Sequence, residues 1–374
     1  MMNRKTRVAV LYGGKSGEHE VSLKSAASVL RYLDRERFEP VPVSIDKDGR
    51  WQCHELRRIE AANTESLPIP TDSPVIRLEP AADGRTAILP ADNAAGAIAP
   101  VDVVFPVIHG PLCEDGAVQG LLELAGAAYV GSGVLGSAVS MHKDIAKRLA
   151  ALAGLPMAPY FALSRRDYRR DPAGSTKAAR MALTLPVFVK PCNMGSSVGV
   201  HKVKSWEALD AALMDAFDYD VKVLIEQGID AREIEIAVLD GDPPVASVAS
   251  ELNAGPQHEF YSYEAKYIDS DGATVDLPAK LDAAQMERVR QLAIDAFVAL
   301  ECSGLARVDF FLDRQSGEFY FNEINTLPGF TAISMYPKMM EASGLPYPAL
   351  LTRLIELAQE RHAERAGLKT SYEG

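Results

Sequence analysis

The stretch GLARVDFFLDRQSGEFYFNEINTLPGF (residues 304–330) constrains the fold more than any other part of the chain. Two apolar runs, Ala306–Leu312 and Glu318–Ile324, are joined by a turn containing Gly317. That pattern predicts an antiparallel hairpin. Arg307 and Asp309 stand two apart on the first run, Glu323 and Asn325 two apart on the second. Residues i and i+2 of a strand share a face. A register symmetric about Ser316 sets Asp309 opposite Glu323 and Arg307 opposite Asn325. A slip of one residue would turn one pair to the far face, so the arrangement hangs on the turn.

Two carboxylates and an amide oxygen thus meet beside a guanidinium. A structural ion pair explains one acid beside one arginine, but not the second acid and the Asn. Hard oxygen donors of this kind suit Mg²⁺ held through ATP phosphates.

A second constellation points to the same chemistry. In PVFVKPCNMGSSVGVHKV (186–203) a buried strand ends at Lys190-Pro191. A loop with Gly195, Ser196, Ser197 and Gly199 then feeds another strand rather than a helix. Backbone N–H groups and two hydroxyls can donate to phosphate oxygens, and glycine permits close approach. Lys190 supplies a point charge. Alone, this segment reads more readily as an ordinary hairpin with a serine turn. LIEQGIDAREIEIAV (224–238) adds a link between strands, with Glu226 ending one and Glu233 beginning the next. A link between two domains is a common seat for an adenine.

The stretch VLYGGKSGEHEVS (10–22) imitates a phosphate loop and fails the test. A Walker A motif needs a glycine five residues before Gly14, and that position is Ala9, inside a strand. The dinucleotide fingerprint fails as well. What remains is a tight turn at a strand's carboxyl end, with Glu18, His19 and Glu20 entering a helix. Acids are favoured there by the helix dipole, and ligands of open α/β sheets bind at that edge.

Elsewhere the pattern is α/β. Val8–Tyr12 and Val41–Ile45 predict parallel strands around a helix over Ser22–Phe38, with Ser22 as its N-cap. Residues 61–100 read as loop with short irregular strands. Residues 101–110 return to strand, 116–130 to helix, and 131–154 to small residues followed by a helix. Strands are expected at 187–190, 198–203, 223–226, 233–239 and 245–251. Helices are expected near 205–217, 282–300 and 347–365, and a long loop over 256–278. At 374 residues, two or three domains are the default. The net charge of −12 argues against nucleic acid as the main partner. Four scattered cysteines without metal spacing suit a reducing cytoplasm, and no apolar run is long enough to span a membrane.

Six motifs taken together, GGKSGEHEVS, HGPLCEDGAVQG, FVKPCNMGSSVGV, YEAKY, RVDFFLD and NEINTLPGFT, resemble the D-alanine–D-alanine ligase family of the ATP-grasp superfamily. They occur in the family's order from residue 13 to 331. The resemblance implies an N-terminal open parallel α/β domain (1–140) followed by an ATP-grasp fold of two α+β subdomains, 141–225 and 226–374, with a lid over 256–278. It implies that ATP phosphorylates one D-alanine and that the amine of a second attacks the acyl phosphate. The product would supply peptidoglycan precursors.

The roles that the resemblance implies are as follows. Glu18 would hold the first ammonium, in a set with Ser196 and Tyr267, and His109 would lie beside it. Lys143 and Lys190 would bind phosphates under the loop of Ser196, Ser197 and Gly199. Glu226, Gln227, Gly228 and Ile229 would line the adenine pocket, with Glu233 on the ribose. Lys266 would approach the transferring phosphoryl group. Asp309, Glu323 and Asn325 would hold two Mg²⁺ ions, with Mn²⁺ as a substitute. Arg307 and the Gly329 N–H would stabilise an oxyanion, and Ser334 would take the second carboxylate. The resemblance also suggests a homodimer.

Relatives that make the D-alanine–D-lactate ester depart from tyrosine at the place of Tyr267, so the intact YEAKY favours the dipeptide. Another carboxylate–amine ligase and a non-catalytic nucleotide-binding module are the alternatives. Cys192, Met194 and His201 depart from the small or polar residues expected around the loop.

Overall fold

Apolar side chains fill the strand Thr6–Gly13 (β1) on both faces, the pattern of a parallel strand covered from two sides. A computed structural model of the chain describes residues 4–62, 64–92, 98–254 and 273–369. In it β1 pairs in parallel with Phe38–Ile45 (β2), and the short strand Trp51–Cys53 (β3) returns antiparallel to β2. Ile76–Pro80 (β4), Thr86–Pro90 (β5) and Ile98–Val101 (β6) form a small antiparallel sheet, where loop and irregular strands are expected from sequence. Val103–Ile108 (β7) pairs in parallel with the other edge of β1, giving the order β3-β2-β1-β7.

The helix after β1 runs His19–Tyr32 rather than from Ser22, and Glu18 stands at its N-cap position. Ser22 is not a cap. Its buried hydroxyl accepts from Gly13 N at 2.7 Å and donates to the Val107 carbonyl, tying the helix to two strands. Leu23, Ala26, Ala27 and Leu30 bury the helix face; a fully buried leucine is worth about 1.5–3 kcal/mol. Gly13 turns the chain at φ +91°, and a Cβ there would lie 2.2 Å from the Ile45 carbonyl oxygen. Glycine is therefore required by sterics alone.

The segment 116–130 is helical over Ala117–Leu124, and Tyr129 then bridges to Val104. Val134–Met141 and Lys143–Leu152 are two helices separated at His142. A four-stranded antiparallel sheet follows, made of Tyr160–Ser164 (β8), Val187–Pro191 (β9), His201–Val203 (β10) and Lys222–Gln227 (β11), in the order β10-β9-β11-β8. Helices over Arg165–Arg170 and Pro172–Ala182, which the sequence pattern does not announce, follow β8.

The last sheet contains Ala231–Leu239 (β12), Val245–Ala246 (β13), Ser250–Ala254 (β14), Ala273–Asp276 (β15), Leu305–Asp313 (β16) and Phe319–Asn325 (β17). Its order is β15-β14-β12-β16-β17, with β13 paired to β12. The helix Ala283–Ala299 carries a capping box, Asp282 with Gln285, and buries Val289, Leu292, Ala293, Ala296 and Phe297 on this sheet. Ala146 and Ala150 of the Lys143–Leu152 helix join the same core. The helix Tyr347–Ala366 returns to the first sheet, where Leu350, Leu351, Leu354 and Ile355 pack with Val8, Val10 and Tyr12. All the sheets are open. Among the described residues, no helix is long and apolar enough to cross a membrane.

Candidate active site

The hairpin has the register its sequence predicts at the site. Arg307 pairs with Asn325 and Asp309 with Glu323. A register shift between Asp309 and Phe310 then displaces the rest, so that Phe310 meets Phe321. Arg307 Nε and Nη2 donate to the two Asp309 oxygens at 2.7 Å each. Glu235 of β12, opposite Asp309, lies 3.4 Å from Arg307 Nε. Asn325 Oδ1 accepts from Leu327 N at 3.0 Å. Burial, with Glu235 and Glu323 close by, pushes Asp309 up to about 7 in spite of its arginine. Among the described residues no three acidic, histidine or cysteine side chains form a metal cluster. The donor set of Asp309, Glu323 and Asn325 fits a hard cation that takes its remaining oxygens from phosphate.

Lys143, one residue past His142, joins this hairpin to the serine loop. Its Nζ donates to the Met194 carbonyl at 2.7 Å and lies 3.1 Å from Glu323. Burial works against that charge, but Glu323 outweighs it and holds the lysine above its usual pKa. The two departures in the loop act through backbone. Cys192 is buried and its carbonyl accepts from Lys143 N at 3.0 Å, while Met194 offers its carbonyl to Lys143 Nζ. His201 pairs with Asp215 at 2.6 Å, outside the loop. Ser196 and Ser197 both adopt left-handed backbone, φ 52° and 59°, and Gly199 follows at 68°. Consecutive non-glycine residues there are uncommon and mark a loop whose shape its surroundings impose.

Lys190 of β9 points at Glu226 of β11, 2.6 Å from Oε2, and also donates to Asn322 Oδ1 at 3.4 Å. Gln227 N and Gly228 N donate to the Pro159 and Pro186 carbonyls, at 2.9 and 2.8 Å. Ile229 follows them in the link to β12. Glu233 is the third residue of β12 rather than its first, two before Glu235 and so on the same face.

The start of the first helix lies against the serine loop. Ser16 Oγ donates to the His109 carbonyl at 2.7 Å and accepts from Glu18 N at 3.3 Å. A Cβ on Gly195 would come within 3.1 Å of Glu18 Oε1, and one on Gly110 within 3.7 Å. The Glu18 carboxylate therefore sits against the residue before Ser196. His109 is buried, which holds its pKa below the ordinary histidine value. Its Nδ1 is 2.8 Å from the Leu327 carbonyl, which can only accept, so the proton is on Nδ1.

Ser25 Oγ lies 3.4 Å from His109 Nε2 and accepts from Phe330 N at 3.2 Å, binding the first helix to the 327–331 loop. Ser334 Oγ accepts from Thr331 N at 3.0 Å, and a Cβ on Gly329 would approach it to 3.3 Å. Lys266 and Tyr267, with most of the expected lid, lie outside the described residues.

Three groups were not singled out from sequence. Glu114 is buried behind Gly110, whose N–H it accepts at 2.5 Å; burial, then Glu18, pushes its carboxyl up to about 8. Glu235 alternates with Glu233 along β12, a signal open to reading. Lys147 follows Lys143 by one helical turn. The cysteines are all free. Cys113 faces Gly14, and burial pushes it and Cys192 up to about 12.

The arrangement places a carboxylate for an ammonium, lysines beside a backbone-rich loop, and a guanidinium among oxygen donors around one cleft. Comparison with known proteins agrees. Residues 7–132 match the family model for the D-ala D-ala ligase N-terminus and residues 149–356 that for its C-terminus. The chain is 67% identical over 371 residues to a D-alanine–D-alanine ligase A of Bradyrhizobium diazoefficiens, covering 99% of this chain and 100% of the relative. The D-alanine–D-alanine ligase structure from Coxiella burnetii superposes with a TM-score of 0.80 at 36% identity, covering 97% of this chain and 96% of that one. A D-Ala:D-Ser ligase, VanG of Enterococcus faecalis, gives 0.81 at 34% identity, covering 95% and 100%. On sequence and fold alike, this chain belongs to the D-alanine–D-alanine ligase family, with the ATP-grasp fold.

Proposed function

We propose that this enzyme joins two D-alanine molecules at the expense of ATP, through an acyl phosphate, and supplies peptidoglycan precursors in the cytoplasm. The observation that carries the reading is the meeting of the two ends of the cleft. Glu18 lies against Gly195 of the serine loop, and Lys143 ties that loop to Glu323 of the hairpin. A D-alanine held by Glu18 therefore has its carboxylate directed toward the phosphate-binding groups.

In this reading Glu18, in a set with Ser196 and Tyr267, fixes the first ammonium, and His109 flanks the same substrate as a neutral ring. Lys143, Lys190 and the loop of Ser196, Ser197 and Gly199 hold the phosphates. The segment Glu226–Ile229 lines the base pocket, Glu233 meets the ribose, and Lys266 faces the transferring phosphoryl group. Asp309, Glu323 and Asn325 hold Mg²⁺, which neutralises charge during phosphoryl transfer. Arg307 and the Gly329 N–H stabilise the oxyanion formed when the second amine attacks, and Ser334 orients the second carboxylate. The protein acts as a homodimer, divided into domains at 1–140, 141–225 and 226–374, and residues 256–278 exclude water from the acyl phosphate.

Incubation with ATP, Mg²⁺ and D-alanine is expected to release phosphate and dipeptide in equal amounts. Phosphate release that does not depend on D-alanine would sink the reading. Replacing the second D-alanine with D-lactate or D-serine tests the acceptor, and wild-type protein is expected to prefer D-alanine.

A further inference from the structure

Lys147 is among the most deeply buried charges in the protein, its side chain 1% exposed. None of the roles above uses it. Its ammonium lies 2.6 Å from Glu226 Oε1, donates to the Phe321 carbonyl at 3.0 Å, and stands 5.9 Å from the ring centres of Tyr160 and Phe321. The Lys143–Leu152 helix, strands β8 and β11 of the middle sheet and β17 of the last sheet thus meet at one nitrogen.

Glu226 is buried as deeply, at 2%. Its side chain is enclosed by protein and faces lysines on both oxygens, each 2.6 Å away: Lys190 donates a hydrogen bond to Oε2, whereas Lys147 meets Oε1 as an ion pair without hydrogen-bond alignment. Burial works against its ionisation, but the two ammoniums hold its pKa down at about 2. Lys190 differs from its partners. It is 12% exposed, the one member of the three that solvent reaches appreciably.

A single buried carboxylate between two lysines has a definite consequence. Removing an ion's partner inside a protein leaves the remaining charge uncompensated, so each member dictates where the others lie. Without Lys147, Glu226 is free to turn toward Lys190 with both oxygens and draw that ammonium inward. With Lys147 paired to Oε1, Glu226 meets Lys190 through Oε2 alone; a second Lys190 proton goes to Asn322 Oδ1 at 3.4 Å, which leaves the third for a phosphate oxygen. The Phe321 carbonyl fixes Lys147 in turn.

We propose that Lys147 is a positioning residue that acts through Glu226 to aim the Lys190 ammonium at the nucleotide's phosphates. Glu226 is on this account the counter-ion that both lysines share. The inference rests on the reading that Lys190 meets phosphate, and it adds the two residues that place it.

The test compares ADP with adenosine, both measured by calorimetry on the whole protein. Lys147→Met is expected to weaken ADP at least tenfold and to leave adenosine within about twofold, because the defect lies at the phosphates. Lys147→Arg, which keeps the charge, is expected to recover part of the ADP affinity. Should Lys147→Met fail to fold, Lys147→Gln, which removes the charge but keeps a donor for the Phe321 carbonyl, leaves the Glu226 carboxylate in place and is expected to show the same ADP-selective loss. ADP binding at the wild-type level in either variant overturns the proposal. So does an equal loss for ADP and adenosine, the mark of a pocket that has merely collapsed. Because the readout is binding, failure of the wild-type protein to join D-alanine would count against the proposed function instead.

Discussion

Arg307→Ala is expected to lower kcat by about 10²–10³-fold, on the order of 3 kcal/mol, the usual cost of losing a donor to an oxyanion. The structure adds a second effect. Arg307 is the counter-charge of both Asp309 and Glu235, so alanine leaves two buried carboxylates facing each other. Uncompensated buried charge costs about 3–5 kcal/mol of stability. The two effects separate through Arg307→Lys. Lysine restores a positive charge but not the paired donation to Asp309, and so is expected to recover melting temperature far more than rate. Turnover is to be measured well below the midpoint of thermal unfolding. Near-normal kcat in the folded alanine variant would remove Arg307 from the mechanism.

The second large effect belongs to Glu114. Its carboxyl titrates at about 8 in the folded protein because it is buried beside Glu18. In the unfolded chain a glutamate titrates near 4.3. Between those values the native state keeps a proton that the unfolded state has lost. The free energy of unfolding therefore falls as pH rises from about 5 to about 8, and the contribution levels off above that. Glu114→Gln keeps an acceptor for the Gly110 N–H and cannot ionise. Its stability relative to wild type is expected to improve across that window by on the order of 3 kcal/mol and then stay constant. Urea unfolding of both proteins from pH 5 to pH 9 measures it. Curves that run parallel throughout would show that the carboxyl ionises normally.

How far the sequence could be read follows from the range of each force. The hairpin was legible because alternation and a glycine turn are local, and together they set Arg307, Asp309, Glu323 and Asn325 on one face. The shift after Asp309 was not, since it depends on how β16 packs against β12. Ser22 has the chemistry of a cap, yet its hydroxyl is claimed by strands distant in sequence. The small sheet of β4, β5 and β6 is built from short strands among prolines and alanines, whose pairing no local signal announces.

At the site the same division holds. Glu18 and Lys190 lie in motifs that the sequence itself marks out. Lys147 and Glu114 matter because of what surrounds them, and burial of a charge is a property of the assembled core. Lys147 did leave a trace, one turn beyond Lys143 on the same helix, although two lysines at that spacing are commonplace on exposed faces.

Cys113 beside the glycine turn and Cys192 at the mouth of the serine loop are enclosed, and their thiols stay protonated well past neutrality. Only thiolate reacts quickly with alkylating reagents, and only where the reagent can reach it. The protein therefore carries two native reporters: Cys113 and Cys192 stay silent toward alkylation as long as the glycine turn and the serine loop enclose them, so modification at either one, mapped by residue, reports exposure of that segment with no probe added to the chain.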